Sequence, residues 1–331
     1  MVKKICAAVL AIGITVLAFG SSANAEGKER KKVSIVTDLS SEGSTYNFAA
    51  DLQKKSDADY YIKYVKNSSE ALDAAKNDEE FKTRISDSDY IIIAIGMGDF
   101  VEPVVGSIKS IGNYSNIHDA LANLKESDAK KIKADFTATA DNIEDFVGDV
   151  EILNSGSKTY LYNIYNPLSM DQEILSTEEY LNVSVANQYI ENADHLGFIN
   201  GVIKSSAEKY ANVNLVDAKS DFEGKGNYYT DIVNMDPSLN EAGNNEIRNL
   251  FLDTFLGDID GNGARDSRDA TRILVSYANF IANGEQSLDK FYSDVNLDGA
   301  IDSKDATVIL KYYANYINNA STVKKIVDYI N

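Results

Sequence analysis

Between residues 32 and 250, short apolar runs alternate with longer stretches of helical spacing. Residues 33–36 (Val-Ser-Ile-Val) form an apolar run that ends near Asp38, and a polar turn and helical spacing over 46–54 follow. Residues 61–65 alternate as a second strand, and 69–85 carry helical spacing with many charges. Residues 89–96 (Asp-Tyr-Ile-Ile-Ile-Ala-Ile-Gly) put apolar and β-branched side chains on both faces, as a central parallel strand requires. Further strands are expected over 159–164 and 213–216, and long helices over 129–150 and 181–210. Such alternation predicts an α/β domain with a parallel sheet covered by helices on both faces. Ligands on such sheets sit beyond the carboxyl ends of the strands, which draws attention to residues 37–43, 96–100 and 163–167.

After residue 250 the texture changes without an intervening Pro/Ser-rich linker. A repeat begins at Asp258 and recurs at Asp294, and 15 of 27 aligned positions are identical between 258–284 and 294–320. Each repeat opens with a loop of calcium-binding spacing. Asp258, Asp260 and Asn262 stand at positions 1, 3 and 5, then Gly263 at 6, Asp266 at 9 and Asp269 at 12. Asp294, Asn296, Asp298, Gly299, Asp302 and Asp305 occupy the same places in the second loop. Calcium takes six to eight oxygen ligands, and side chains at alternate loop positions converge on one point. The glycine permits the sharp turn, and the carbonyls of Ala264 and Ala300 at position 7 are expected to complete each sphere. Two Ca2+ ions are therefore expected. Aspartate rather than glutamate at position 12 means that the last ligand must reach further.

Composition adds an address and excludes some partners. Lys3 and Lys4, the apolar stretch from Ile5 to Gly20, and Ala23-Asn24-Ala25 read as an export signal cleaved before Glu26. About 16 apolar residues are short for the roughly 20 that a span requires, so no membrane span is expected in the mature chain. The single cysteine, Cys6, lies inside that segment, so the mature chain carries no disulfide. Removing two lysines from a net charge of −19 leaves −21. That acidity argues against nucleic acid and anionic membranes. With no tryptophan and 20 tyrosines, any sugar-stacking platform has to be mainly tyrosine.

On these residues the segment 256–317 resembles a type I dockerin, the module that attaches subunits to cellulosome-like scaffolds. The resemblance implies binding to the cohesin of a scaffoldin through the helix after each loop. Carried over by position, recognition centres on Ser267, Arg268, Leu274 and Val275 in one repeat and Ser303, Lys304, Leu310 and Lys311 in the other. A small hydroxyl and a long cation would flank an apolar helix face. Ile273, Tyr277, Ile309 and Tyr313 are expected to form the core between the helices.

Residues 33–250 resemble the SGNH, or GDSL-like, hydrolases, a flavodoxin-like family with a three-layer parallel sheet. Residues 34–43 (Ser-Ile-Val-Thr-Asp-Leu-Ser-Ser-Glu-Gly) stand where the family has a strand and Gly-Asp-Ser. Residues 93–100 (Ile-Ala-Ile-Gly-Met-Gly-Asp-Phe) stand at its Gly-x-Asn-Asp, and 236–243 (Asp-Pro-Ser-Leu-Asn-Glu-Ala-Gly) at its histidine stretch. Tyr165-Asn166-Pro167 after a strand also matches. Ester hydrolysis on this scaffold needs a serine, a histidine base and oxyanion donors. Leu39 occupies the nucleophile position, Gly98 the oxyanion asparagine and Ser238 the histidine. Asp38, Asp99 and Asp236 remain as remnants, with Asp236 one residue short of the family spacing. Ser40 and Ser41 are substitute nucleophiles only if a base is found, and the histidines are His118, in an unmatched insertion over 106–128, and His195, expected on the surface of a charged helix.

The expected organisation is a signal peptide over 1–25, an SGNH-like domain over 26–252 and an all-α dockerin of two loop–helix repeats over 253–331. The expected function is that of a secreted, extracellular cellulosome-type subunit with a non-catalytic large domain. Plant polysaccharide is a further expected partner. An esterase acting on acylated plant polysaccharide through a rearranged site, and an adaptor whose working part is the dockerin alone, remain open.

Overall fold

In the computed structural model, the described residues are 29–99, 126–177, 194–232, 236–318 and 323–330, with Tyr180, Val183, Ser184 and residues 186–188. The expected signal segment, His118 and residues 106–125 of the expected insertion lie outside them.

The apolar runs become five parallel strands: β1 (Lys31–Thr37), β2 (Ala58–Tyr64), β3 (Tyr90–Ala94), β4 (Lys158–Tyr162) and β5 (Val213–Val216). Their order is β2-β1-β3-β4-β5, the 2-1-3-4-5 order of flavodoxin-like doubly wound sheets. β1 lies between β2 and β3 in parallel register, with Val33 opposite both Tyr60 and Tyr90. β3 is buried along its length, and Ile91, Ile92 and Ile93 are fully enclosed.

The intervening helices are α1 (Phe48–Lys55), α2 (Ser68–Asn77), α3 (Glu79–Ser86), α4 (Glu126–Leu153), α5 (Gln172–Leu175), α6 (His195–Lys209), α7 (Ala218–Phe222), α8 (Gly226–Tyr229) and α9 (Glu241–Phe255). On one face α4 packs between α2 and α6, and Phe81 of α3 meets Phe146 of α4. On the other, α1 packs with α9, which covers Tyr160 through Phe251 and takes a hydrogen bond from Tyr162 Oη on Ile247 O.

The single helix expected over 69–85 is two. The Asp78 side chain accepts from the amides of Glu80 and Phe81 while its own N–H donates to Ala74 O, so one residue ends α2 and caps α3. The expected surface helix around His195 is also different. Asp194 is left-handed, with φ of 48°, and α6 begins at His195. His195 is half-buried, with its ring 4.5 Å from that of Phe136.

Two further long helices, α10 (Ser267–Asn283) and α12 (Ser303–Asn318), follow the acidic loops and pack on each other, with the short α11 (Lys290–Ser293) between them. A 3-10 turn (Ile326–Tyr329) closes the described chain. Ile273 and Ile309 are buried as expected, whereas Tyr277 and Tyr313 are half-buried. No described helix is long and apolar enough to cross a membrane.

The C-terminal helices share a core with the sheet domain. Helix α9 runs through residues 252 and 253, where the two units were expected to divide, and ends at Phe255. The Phe255 ring stacks on Phe291 at 4.3 Å and Tyr90 joins them at 6.0 and 5.1 Å. Tyr90 and Tyr292 are hydrogen-bonded through their hydroxyls. The tail then returns to the sheet domain: Lys325 Nζ reaches Glu246 at 2.6 Å and Asp221 at 2.9 Å, and Ile326 N donates to Asp253 Oδ1 at 2.7 Å.

Candidate functional site: the strand ends and the two acidic loops

At the carboxyl end of β1 the chain turns at Asp38. Its Oδ2 accepts from Gly96 N at 2.7 Å and Gly98 N at 3.0 Å, tying the turn after β1 to the turn after β3. Oδ1 is buried with no hydrogen-bond partner among the described residues, and so is Ser40 Oγ. Burial pushes the Asp38 carboxyl up to about 7; the glycine amides oppose the shift and the nearby Asp99 adds to it. Asp99 accepts from Ser68 N at 2.6 Å, at the start of α2, and burial raises its carboxyl too.

The position expected to hold a nucleophile is filled by the half-buried Leu39. It lines a cavity of about 10 Å³ with Met97, Tyr162 and Tyr165 among others, roughly the room of one water. A Cβ built on Gly98 would overlap the carbonyl oxygen of Lys66. No asparagine side chain fits there without moving that backbone. Asp236 and Ser238 form a turn of their own, with Ser238 N donating to Asp236 Oδ1 at 2.9 Å, and both are exposed. The structure brings Asp38, Gly98 and Asp99 together, and among the described residues it arranges no acid–base pair at Leu39 or Ser238.

The acidic loops are built for a cation. In the first, carboxylate oxygens of Asp258, Asp260 and Asp269 lie within 4.8 Å of one another. The loop curls because Asp258 accepts from the amides of Asn262 and Gly263 at 3.1 and 2.9 Å, with Gly263 at φ of 82°. Ala264 N donates to Asn262 Oδ1 at 2.8 Å. Asp269, fully buried on α10, accepts from Ile259 N at 2.8 Å and Asp266 N at 2.9 Å, so the short position-12 side chain reaches by pulling the loop onto the helix. Asp266 stands apart from the cluster: it caps α10 and pairs with Arg268 at 2.8 Å.

The second loop repeats this plan. Asp294 Oδ2 accepts from Gly299 N at 3.0 Å, and Asp305 accepts from Asn296 N at 3.0 Å and Asp302 N at 2.8 Å. Ala300 N donates to Asp298 Oδ1 at 3.0 Å. Lys304 pairs with Asp298 at 2.8 Å and Asp302 at 3.7 Å. Asp294 Oδ1 is buried without a partner among the described residues. Burial, with Asp305 alongside, lifts Asp294 to about 7, and burial lifts Asp305 to about 6. An orphaned oxygen in an all-oxygen donor set fits a hard divalent cation, which would hold both carboxylates ionised.

The residues expected to face a partner are accessible on the whole chain. Ser267, Arg268, Ser303, Lys304 and Lys311 are exposed, as is Val275 at 56 %, while Leu274 and Leu310 are half-buried against the core. Sequence reasoning passed over Arg265, at position 8 of the first loop. Its guanidinium donates to the carbonyls of Asp253 and Leu256 at the end of α9 and lies 5.5 Å over the Tyr312 ring. The signal was a break in the repeat, because the matching residue is the buried Ile301.

No curated protein matches the chain. Two solved lipases are similar at 13 % identity and a TM-score of 0.42. One is the lipase Lip_vut3 from a goat rumen metagenome, covering 67 % of this chain and 97 % of its own. The other is an extracellular lipase from Streptomyces rimosus, covering 59 % of this chain and 82 % of its own. The dockerin type I family matches residues 256–314. With its duplicated acidic loops and paired helices, the C-terminal module of this chain is a dockerin type I domain.

Proposed function

We propose that this chain is a secreted subunit of a cellulosome-type complex, which docks through its dockerin onto a scaffoldin cohesin and carries a non-catalytic large domain. The proposed units are a signal peptide over 1–25, the SGNH-like domain over 26–252 and the dockerin over 253–331. Two calcium ions hold the loops, with Asp258, Asp260 and Asp269 central to the first and Asp294, Asp298 and Asp305 to the second. Cohesin contacts come from Ser267, Arg268 and Val275, and from Ser303, Lys304 and Lys311.

The single observation that carries the non-catalytic reading is the closure of the strand ends. Leu39 stands over a water-sized cavity, and the Lys66 carbonyl occupies the space of any side chain at residue 98. An oxyanion hole needs donors aimed at open space where the reacting oxygen sits. A second reading, an esterase acting on acylated plant polysaccharide through a rearranged site, is favoured by one observation: Ser40 Oγ is buried and partnerless among the described residues, two positions from Asp38.

One preparation tests both readings. Calorimetric titration with cohesin is expected to show calcium-dependent binding that chelator abolishes. Turnover of p-nitrophenyl acetate and acetylated xylan is expected to stay at background. Turnover lost in Ser40→Ala would establish the esterase instead.

A further inference from the structure

A cavity of about 500 Å³ lies in the wedge between α1 and the edge strand β2, beside the turn that follows β1. Its floor is a row of alternate residues on one face of β2: Tyr60, Ile62 and Tyr64. Residues two apart on a strand share a face, so the row extends about 13 Å. The opposite face of β2 is otherwise engaged, with Tyr61 under Arg84 and Lys63 paired with Asp78. Because β2 has only β1 as neighbour, the row remains half-buried rather than enclosed.

Helix α1 supplies the wall. Phe48, Ala49 and Leu52 face inward and are fully buried, which turns Asp51, Gln53 and Lys54 toward the wedge. Glu42 and the hydroxyls of Ser44 and Thr45 close one end. The floor is preorganised: Tyr64 Oη accepts from Asn47 Nδ2 at 2.7 Å, and Tyr60 Oη is hydrogen-bonded to Ser56. Both rings are thus held in place before anything binds, which lowers the ordering cost of association.

The chemistry of the lining narrows the ligand. The lining has two carboxylates, one lysine and no arginine, and the nearby Arg248 is paired with Asp51 at 3.9 Å, which does not suit phosphate or carboxylate groups, read by guanidinium forks and clustered cations. A wholly apolar ligand would leave the polar wall unpaired. A ligand with apolar C–H faces and a rim of hydroxyls satisfies both surfaces. Tyrosine rings offer large, rigid contacts, and carboxylate, amide and hydroxyl groups accept from and donate to vicinal hydroxyls.

We propose that the wedge between α1 and β2 is a binding site for a neutral oligosaccharide, with Tyr60, Ile62 and Tyr64 as the stacking floor and Glu42, Asp51 and Gln53 as the hydroxyl-reading wall. The site does not include Asp38, Leu39, Gly98 or the dockerin, so it stands whether or not the large domain hydrolyses esters.

The test is calorimetric titration of the full calcium-loaded chain with xylohexaose, cellohexaose and mannohexaose. At least one hexaose is expected to bind, and Tyr64→Ala or Tyr60→Ala to weaken it by about tenfold. Tyr228→Ala, which removes an exposed ring elsewhere, is expected to bind as the parent does. Should the floor variants fail to fold, the exposed Gln53→Ala and Glu42→Gln test the wall, with weakening again expected. The proposal is overturned if no hexaose titrates at millimolar concentration. Unchanged affinity in the folded floor or wall variants, or tighter binding of oligogalacturonate than of any neutral hexaose, overturns it too.

Discussion

Asp38 is held unevenly: one carboxyl oxygen takes two glycine amides while the other is buried without a partner among the described residues. Its proton affinity makes folding depend on pH. Well below pH 3.8, both folded and unfolded chains carry the proton. Between the ordinary value of 3.8 and the folded value of about 7, the unfolded chain releases it and the folded chain keeps it, so stability falls as pH rises through that window. Asp38→Asn keeps an acceptor for Gly96 and Gly98 and removes the ionisation. Thermal melts are expected to coincide with the parent well below pH 3.8 and to favour the variant at pH 8 by on the order of 2–4 kcal/mol. Equal stabilities at pH 8 would refute this. Residue identities at the strand ends were legible in the chain: Leu39 and Gly98 could be assigned to the turns after β1 and β3. What the sequence could not carry was the position of the Lys66 carbonyl, because that contact joins turns distant along the chain.

At the scale of elements, the acidic loops were the most legible part because their information is local. Ligands at alternate positions, a glycine at the bend and a helix directly after lie within a dozen residues. The break between α2 and α3 was harder to read, because Asp78 interrupts an otherwise continuous helical pattern by side-chain capping. The β2 row was in plain view as Tyr-Tyr-Ile-Lys-Tyr, but only the strand order reveals that β2 is an edge and that its face meets open space. The two dockerin helices present nearly the same surface twice, Ser267 and Arg268 against Ser303 and Lys304. Either repeat is therefore expected to engage cohesin alone. Ser267→Ala with Arg268→Ala should cost little affinity, as should Ser303→Ala with Lys304→Ala. The fourfold variant should lose far more than the sum, read by calorimetry. If one double variant alone abolishes binding, the module has a single working face.

Across the whole molecule, the seam between sheet domain and dockerin is closed by buried aromatic side chains. Phe255 and Phe291 are almost wholly buried and stack with rings 3° from parallel, while Tyr90, Phe251 and Tyr292 surround them. Calorimetric melting in calcium is expected to give one cooperative transition. Phe291→Ala, a large-to-small change in a closed core, should cost about 3–5 kcal/mol and split the melt into a calcium-sensitive and a calcium-insensitive step. Two transitions in the parent would show that the seam does not couple the parts. Sequence reasoning expected two modules in close succession; that they share aromatic side chains was hidden, because Tyr90 and Tyr292 are far apart in the chain.

The returning tail has a mechanical consequence. Besides the aromatic seam, a load applied at the dockerin reaches the sheet domain along the covalent run from Phe255 into Leu256 and the Lys325 tether to Glu246 and Asp221. An attachment held at two places resists swivelling, whereas one held at a single flexible joint does not. The large domain is therefore expected to move with its anchor, and the direction in which the β2 edge points to be set by how the dockerin is seated. Any reach toward a distant surface has to come from the spacing and flexibility of the scaffold itself.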